Sequence, residues 1–222
     1  MNQKPLKLIA YIDGFNLYYG LREKGWRRYY WLNLTNLVEN LLKPNQKLIK
    51  TKYFTARISA GDDTTPLWLR KKMEQKRRRQ AGFLEALDTL DNFKIYEGHY
   101  LGKTVSCNKC GNTWYTHEEK MTDVCIATEL MVDAFLDEFD TALIISADSD
   151  LVPPINVVKE KFPSKRIVIA FPPARSSWRL QQVASAYFTI SEAKLRKSMF
   201  PDKVTKQDGF VLERPKEWTK NG

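Results

Sequence analysis

The sequence predicts an α/β fold in which a central, mostly parallel sheet is covered by helices and carries a small insert containing Cys and His. Apolar runs rich in β-branched and aromatic residues alternate with stretches of helical periodicity, as in repeated strand–helix–strand units. A length of 222 residues fits one main core. The apolar runs predict strands over residues 8–13, 49–55, 93–96, 142–146 and 166–171.

The strands at 8–13 and 142–146 are almost wholly apolar, which is typical of central strands buried on both faces. Between and after the strands, helical patterning predicts helices over residues 64–90, 121–139, 151–161 and 176–187.

Two segments depart from this pattern. Residues 99–117 contain a cysteine pair, two glycines and several polar residues, which predicts a small knuckle-like insert within a main domain of residues 1–201. Residues 202–222 are polar and rich in Lys, and we expect this C-terminal tail to pack loosely.

Composition favours a cytoplasmic protein with a polyanionic partner. No apolar run approaches the roughly 18 residues of a membrane span, the N-terminus lacks a signal-peptide pattern, and three cysteines suit a reducing compartment. The net charge is +10. Such charge marks either a solvated helix face or a nucleic-acid surface. Much of the excess lies on one predicted helix, at Arg70, Lys71, Lys72, Lys76, Arg77, Arg78 and Arg79.

Acidic residues follow both predicted central strands. Asp13 directly follows the first, at the carboxyl end where open α/β sheets bind ligands, although an Asp before Gly14 is also typical of a local turn. Asp148 and Asp150 follow the other central strand, and Asp150 is equally consistent with a helix N-cap. If the two strands are neighbours, their aspartates lie in one crevice.

Asp123 stands at the start of the 121–139 helix, where it is either a cap or a third acid of the crevice. Carboxylates without His or Cys suit Mg²⁺ or Mn²⁺. Such a metal lowers the pKa of a bound water, so a phosphodiester is hydrolysed without a protein nucleophile. The chain has two histidines and no evident Ser-His-Asp arrangement.

Several motifs in order resemble the NYN domain family, a branch of the PIN-like nucleases related to the bacterial LabA-like group. The resemblance spans about residues 8–201 and ends with the segment 198–201. Its motifs are Tyr11-Ile12-Asp13-Gly14-Phe15-Asn16-Leu17, Glu119-Lys120-Met121-Thr122-Asp123-Val124, Ser146-Ala147-Asp148-Ser149-Asp150-Leu151 with Pro153, and Pro172-Pro173-Ala174-Arg175.

The resemblance implies a PIN-like three-layer α/β/α sandwich and a divalent-metal ribonuclease site. It implies that Asp13, Asp123 and Asp148 coordinate Mg²⁺ or Mn²⁺, and that Asn16 and Asp150 assist in positioning metal or water. Glu129 stands where the family pattern leads us to expect an aspartate. Arg175 joins the basic helix among the residues expected to bind nucleic acid.

The insert predicts a second metal site. Cys107-Asn108-Lys109-Cys110-Gly111 has the spacing of a zinc knuckle, and His99 and His117 flank it, so a structural Cys₂His₂ zinc site is one interpretation. Free thiols in an exposed loop are the other. Trp114 in the same insert either stacks on unpaired bases or packs the core of the insert.

The favoured hypothesis is a metal-dependent ribonuclease acting on single-stranded RNA, with RNA against DNA left open. A non-catalytic nucleic-acid-binding or regulatory module is the alternative, and a small-nucleotide hydrolase or phosphatase is a weaker third. A binding module has no need of several aspartates that repel phosphate. Homo-oligomerisation also stays open.

Overall fold

A computed structural model of the chain describes residues 4–58 and 66–219, and of residues 100–104 and 114–120 it describes the backbone alone. The described strands are β1 (Leu6–Asp13), β2 (Gln46–Ala56), β3 (Phe93–Ser106), β4 (Thr113–Lys120), β5 (Thr141–Ile145), β6 (Arg166–Phe171), β7 (Ala186–Thr189), β8 (Lys203–Thr205) and β9 (Val211–Glu213). The described helices are α1 (Gly14–Glu23), α2 (Leu34–Glu39), α3 (Leu67–Leu87), α4 (Thr122–Phe135), α5 (Val152–Lys161), α6 (Trp178–Val183) and α7 (Glu192–Lys197).

The main sheet has the order β4-β3-β2-β1-β5-β6-β7. Six neighbouring strands, β3 to β7 in that order, run parallel, and β4 pairs antiparallel to β3 at one edge. The predicted α/β class with a mostly parallel sheet is therefore confirmed. The strands β1 and β5 are central and adjacent, with Leu8 opposite Thr141 and Ile12 opposite Ile145.

Alternation along the strands divides the apolar side chains between two cores, one on each face. In β1, Leu8, Ala10 and Ile12 face one core, and Ile9 and Tyr11 face the other. Helices α1, α2, α3 and α7 cover the first face, and α4, α5 and α6 cover the second. Three layers result, as in a PIN-like sandwich. Each fully buried aliphatic side chain contributes about 1.5–3 kcal/mol.

The C-terminal segment is packed, which corrects the expectation of a loose tail. Val204 of β8 and Leu212 of β9 are buried in the first core, and the Trp218 ring lies 6.2 Å from the ring of Trp31. These apolar residues are widely spaced in a polar stretch, so no periodic pattern indicates them. Residues 220–222 lie outside the described range.

The predicted insert at 99–117 is an extension of the sheet. Its backbone continues β3 past its pairing with β2 and returns as β4, forming an antiparallel hairpin. Within the described residues, no helix combines the length and the apolar character that crossing a bilayer requires.

Candidate active site

The site is built where β1 and β5 end. Ile12 and Ile145 are register partners, so the next residues, Asp13 and Ser146, lie side by side at the carboxyl edge of the sheet. After β1 the chain continues to β2 on one side, while β5 occupies the other side, which makes this edge a topological switch point. Side chains at such a point enter a crevice between diverging loops.

Asp13 is buried and serves as the N-cap of α1. Its Oδ1 accepts the backbone N–H of Asn16 at 2.9 Å, while its Oδ2 accepts the Asn16 side-chain amide at 2.7 Å and the Ser146 hydroxyl at 2.8 Å. Asp13 therefore does form the local turn that is one of its two interpretations from the sequence. Burial nevertheless raises the pKa of Asp13, because the loss of hydration outweighs the hydrogen bonds from Asn16 and Ser146, and repulsion from Asp148 raises it further.

Gly14 allows α1 to begin this close to the sheet. A Cβ at residue 14 would lie 2.6 Å from the Tyr53 hydroxyl oxygen and 2.8 Å from the Phe54 backbone carbonyl oxygen. Only glycine fits against that backbone. The Asp-Gly pair thus combines a buried carboxylate with a helix start pressed onto β2.

Ser146 connects Asp13 to Asp148. Its hydroxyl donates to Asp13 and accepts the backbone N–H of Asp148 at 3.0 Å. Asp148 in turn caps the 3₁₀ turn Ser149–Leu151 by accepting the backbone N–H of Asp150 at 2.9 Å. The capping role considered for Asp150 therefore belongs to Asp148, and Asp150 is exposed beside it.

Asp123 lies in the first turn of α4, which packs against the Ser149–Leu151 turn and against β1. The N-cap position of α4 is Met121, which has φ 78° and makes no capping side-chain hydrogen bond, and Asp123 lies two residues further on in the first turn. A left-handed methionine is strained backbone. Its position directly between β4 and α4 fixes the direction in which the helix leaves the hairpin.

Asp13 and Asp148 are thus brought together through Ser146, and Asp123 stands on a neighbouring element. Among the described residues, no three His, Cys, Asp or Glu side chains converge closely enough to hold a metal ion.

The sequence profile of the NYN domain matches residues 7–192, a range that contains all of these acids. The chain belongs to the NYN domain family. NYN domains have a nuclease-type fold, and the family generally comprises nucleases.

Two further comparisons place this NYN domain among known proteins. The 6-hydroxy-3-succinoylpyridine 3-monooxygenase of Pseudomonas putida is 26% identical over 196 residues, which are 72% of this chain and 57% of that protein. The chain thus spans little more than half of that relative. A protein of unknown function from Vibrio parahaemolyticus has a crystal structure that superposes with a TM-score of 0.53 at 17% identity, covering 90% of this chain and 99% of that one. This second likeness concerns the fold alone.

Beneath α4 the NYN domain contains a buried ionic network that the sequence did not indicate. The Lys52 ammonium lies 2.6 Å from a carboxylate oxygen of Glu129 and 2.6 Å from one of Asp133. The Tyr11 hydroxyl donates to Asp133, and the Tyr96 hydroxyl donates to Glu129, each at 2.5 Å. A lysine in a strand pattern is normally exposed, so only tertiary packing reveals that Lys52 is buried.

An aromatic and cationic surface lies along α1 beside Asn16. The rings of Phe15 and Tyr19 are 4.3 Å apart, and the guanidinium groups of Arg22 and Arg175 lie 5.4 and 5.7 Å from the Tyr19 centroid. Arg175 also hydrogen-bonds Glu23. We call Phe15, Tyr19, Arg22 and Arg175 the α1 rim. The sequence pattern predicts Arg175 as a nucleic-acid-binding residue, but it does not indicate Arg22 or the two aromatic residues.

Two features of the backbone hold Arg175 in the α1 rim. Ala174 has φ 59°, a left-handed turn that non-glycine residues rarely adopt. Across from it, Gly20 leaves no room for a Cβ, which would lie 2.5 Å from the Pro173 carbonyl oxygen. The Nε of Arg175 is buried without a hydrogen-bond partner.

The basic helix α3 is partly neutralised. Arg77 and Arg78 bind Glu74, and Arg79 is half-buried and binds Glu217, so Arg79 contributes to the fold. Lys71, Lys72 and Lys76 are exposed. Burial, followed by repulsion from Lys72, Arg22 and Arg79, lowers the pKa of Lys76. The repulsion between Lys76 and Arg22 indicates that this part of α3 lies near the α1 rim.

The hairpin separates the predicted zinc ligands. His99 lies in β3 eight residues before Cys107, and extended chain rises about 3.3 Å per residue, so roughly 26 Å separates their backbones. His117 pairs with Gly102, five residues or roughly 16 Å short of Cys107. One Cys₂His₂ ion is therefore incompatible with this hairpin. The side chains of His117 and Trp114 lie outside the described residues.

Proposed function

We propose that this NYN domain is a divalent-metal-dependent nuclease that hydrolyses single-stranded RNA. Asp13, Asp123 and Asp148 are the proposed ligands of Mg²⁺ or Mn²⁺, and Asn16 and Asp150 are the proposed positioning residues. The observation that carries the proposal is the Asp13 carboxylate, which is buried beside Asp148 and whose hydrogen-bond donors among the described residues are all neutral. A bound cation would offset that buried charge.

The donor chemistry fits a hard cation because all of these ligands are oxygen atoms. Bound there, a divalent metal would supply an activated water and would offset charge on the phosphate. The protein's own contribution is orientation. Asn16 and Ser146 fix the Asp13 carboxylate in one rotamer, and Ser146 also anchors the backbone at Asp148. Asp150 is exposed at the edge, where it can accept a hydrogen bond from water.

The α1 rim and α3 favour a single-stranded substrate. Bases stack on aromatic rings only when they are unpaired, and the half-buried rings of Phe15 and Tyr19 lie next to Asn16 at the surface of α1. Lys71, Lys72 and Lys76 add charge for the backbone of the strand. Lys76 lies near the cationic groups of Lys72, Arg22 and Arg79, which add to the effect of burial in lowering its pKa, and a phosphate would offset their mutual repulsion.

The test is cleavage of end-labelled single-stranded RNA, duplex RNA and single-stranded DNA with Mg²⁺, Mn²⁺ or EDTA. We expect cleavage of single-stranded RNA with metal and none with EDTA. Asp13→Asn should reduce the rate by about 100-fold or more, since substituting even a residue that only supports a metal ligand costs 10–100-fold. Asp91→Asn is the matched control because Asp91 is exposed on the turn before β3.

Three results would contradict the proposal. Metal-independent cleavage, or equal loss in Asp91→Asn, would show that these aspartates do not carry the reaction. Tight RNA binding without cleavage under any metal would favour the alternative, a non-catalytic nucleic-acid-binding or regulatory module.

A further inference from the structure

The tip of the β3–β4 hairpin is a tight cysteine turn. The backbone N–H of Cys107 donates to the Asn112 carbonyl at 2.8 Å, and the N–H of Gly111 donates to the Cys107 carbonyl at 2.9 Å. Gly111 has φ +68°, a left-handed conformation that glycine adopts without strain. The turn therefore closes directly after the second cysteine and holds both thiols at the end of the hairpin.

The turn also favours thiolates. Backbone amides of Cys110 and Lys109 point at the Cys107 sulfur, as does the Cys110 thiol, and together they lower the pKa of Cys107. Cys107 is half-buried, and Cys110 and Lys109 are exposed. Amide hydrogen bonds to sulfur at an exposed turn favour a metal-binding or redox-active pair over inert structural cysteines.

Two thiolates do not complete a structural zinc site, which takes four ligands in a tetrahedron. The hairpin rules out His99 and His117 by distance, and no third His, Cys, Asp or Glu joins the pair among the described residues. Cys125 is half-buried in α4 and is separated from the tip by the length of β4. A zinc ion bound by this pair would therefore take its two remaining ligands from outside the described residues.

We propose that the Cys107–Cys110 turn is half of a zinc site that two copies of the chain complete. A two-fold axis through the ion gives each copy the same role and yields a tetrathiolate site. Each thiol that binds releases its proton to solvent. The ion with four thiolates carries a net charge of −2, which the two exposed Lys109 side chains offset. The active-site crevice takes no part, so this inference is independent of the proposed nuclease activity.

The test titrates Zn²⁺ into the full chain, reduced and kept without oxygen. Molar mass is followed by light scattering, and zinc content is measured after desalting. We expect the mass to double, saturation at one zinc per two chains, and reversal by EDTA. Cys107→Ser and Cys110→Ser should stay monomeric and lose this zinc, with unchanged thermal unfolding midpoints because the tip is exposed.

Three further variants and a metal substitution sharpen the result. Cys125→Ser, His99→Asn and His117→Asn should dimerise as the wild type does, and Co²⁺ in place of Zn²⁺ should give the charge-transfer absorption of a tetrathiolate. One zinc per monomeric chain would overturn the proposal, as would loss of zinc in either histidine variant. Absence of zinc binding by the reduced chain, or a Cys107–Cys110 disulfide that persists in millimolar thiol, would also overturn it.

Discussion

Two groups of buried or half-buried carboxylates lie on the same face of the sheet, and they differ in what balances their charge. In α4, Glu129 and Asp133 share the ammonium of Lys52. Two residues along β1 from Tyr11, which binds Asp133, the Asp13 carboxylate accepts from amide and hydroxyl donors alone among the described residues. In the part of the chain that the structure describes, the first group contains its own cation, whereas the second does not.

The pKa values follow that difference. Burial alone would raise the pKa of Glu129, but hydrogen bonds from Lys52 and Tyr96 hold it below its ordinary value. At Asp13 burial prevails over the hydrogen bonds from Asn16 and Ser146, and the pKa is raised. Charge balance by a side chain stabilises a fold permanently, while a carboxylate without one favours a cation from solution.

The largest expected effect on stability comes from removing Lys52, the cation inside the protein. Lys52→Met should lower the free energy of unfolding by about 3–5 kcal/mol, because the buried Asp133 and the half-buried Glu129 lose their counterion. Lys94→Met is the control, since Lys94 is exposed over the Tyr96 ring and its loss should cost under about 1 kcal/mol. Urea denaturation in EDTA measures both. Equal effects would mean that the network contributes no more than a surface charge.

The second effect concerns an external cation. Mg²⁺ or Mn²⁺ at about 100 times its dissociation constant should raise the free energy of unfolding of the wild type by about 2.7 kcal/mol. Asp13→Asn and Asp148→Asn should show little of this gain, whereas Asp91→Asn should keep it. Denaturation with and without metal measures the effect. Equal stabilisation of all four proteins would mean that the metal binds elsewhere.

The smallest effect is on pH dependence without metal. Asp13 has a raised pKa in the folded state, so the folded protein binds more protons than the unfolded chain between the two pKa values. Its contribution to stability therefore falls as pH rises through that window. Asp13→Asn lacks this term, and its stability relative to the wild type should increase from pH 4 to pH 7 in EDTA. A relative stability that decreases with pH would contradict the raised pKa.

Much of the sheet could be predicted because central strands of parallel sheets are nearly continuous apolar runs. All five predicted strands occur, and the predicted helices 64–90, 121–139 and 151–161 correspond to α3, α4 and α5. The apolar pattern does not predict α1, because Gly14, Asn16 and Gly20 interrupt the helical periodicity of that segment. The apolar pattern also did not predict β4, an edge strand in which polar residues predominate, and it predicted one helix where α6 and β7 follow each other.

The sequence predicts that Asp13 and Asp148 lie together if their two central strands are neighbours, and the pairing of β1 with β5 meets that condition. The balance of buried charge did not follow, because Lys52, Glu129 and Asp133 are far apart in the sequence and meet only through packing of α4. The error over the zinc ligands has a related cause. In the sequence, His99 and His117 lie at similar spacings on either side of the cysteines. Because the hairpin is extended, these spacings along the chain hold both histidines far from Cys107.

The packing of the C-terminal segment has a practical meaning for anyone shortening this protein. The family profile ends at residue 192, yet Val204, Leu212 and Trp218 fill the core beneath α3. A chain cut at the family boundary would uncover Trp31 and Phe83, whose rings pack against Trp218. The segment that the family profile covers is therefore shorter than the segment that folds as one unit in this protein. A fragment ending at residue 192 would lose core residues, so its inactivity would not test the role of the aspartates.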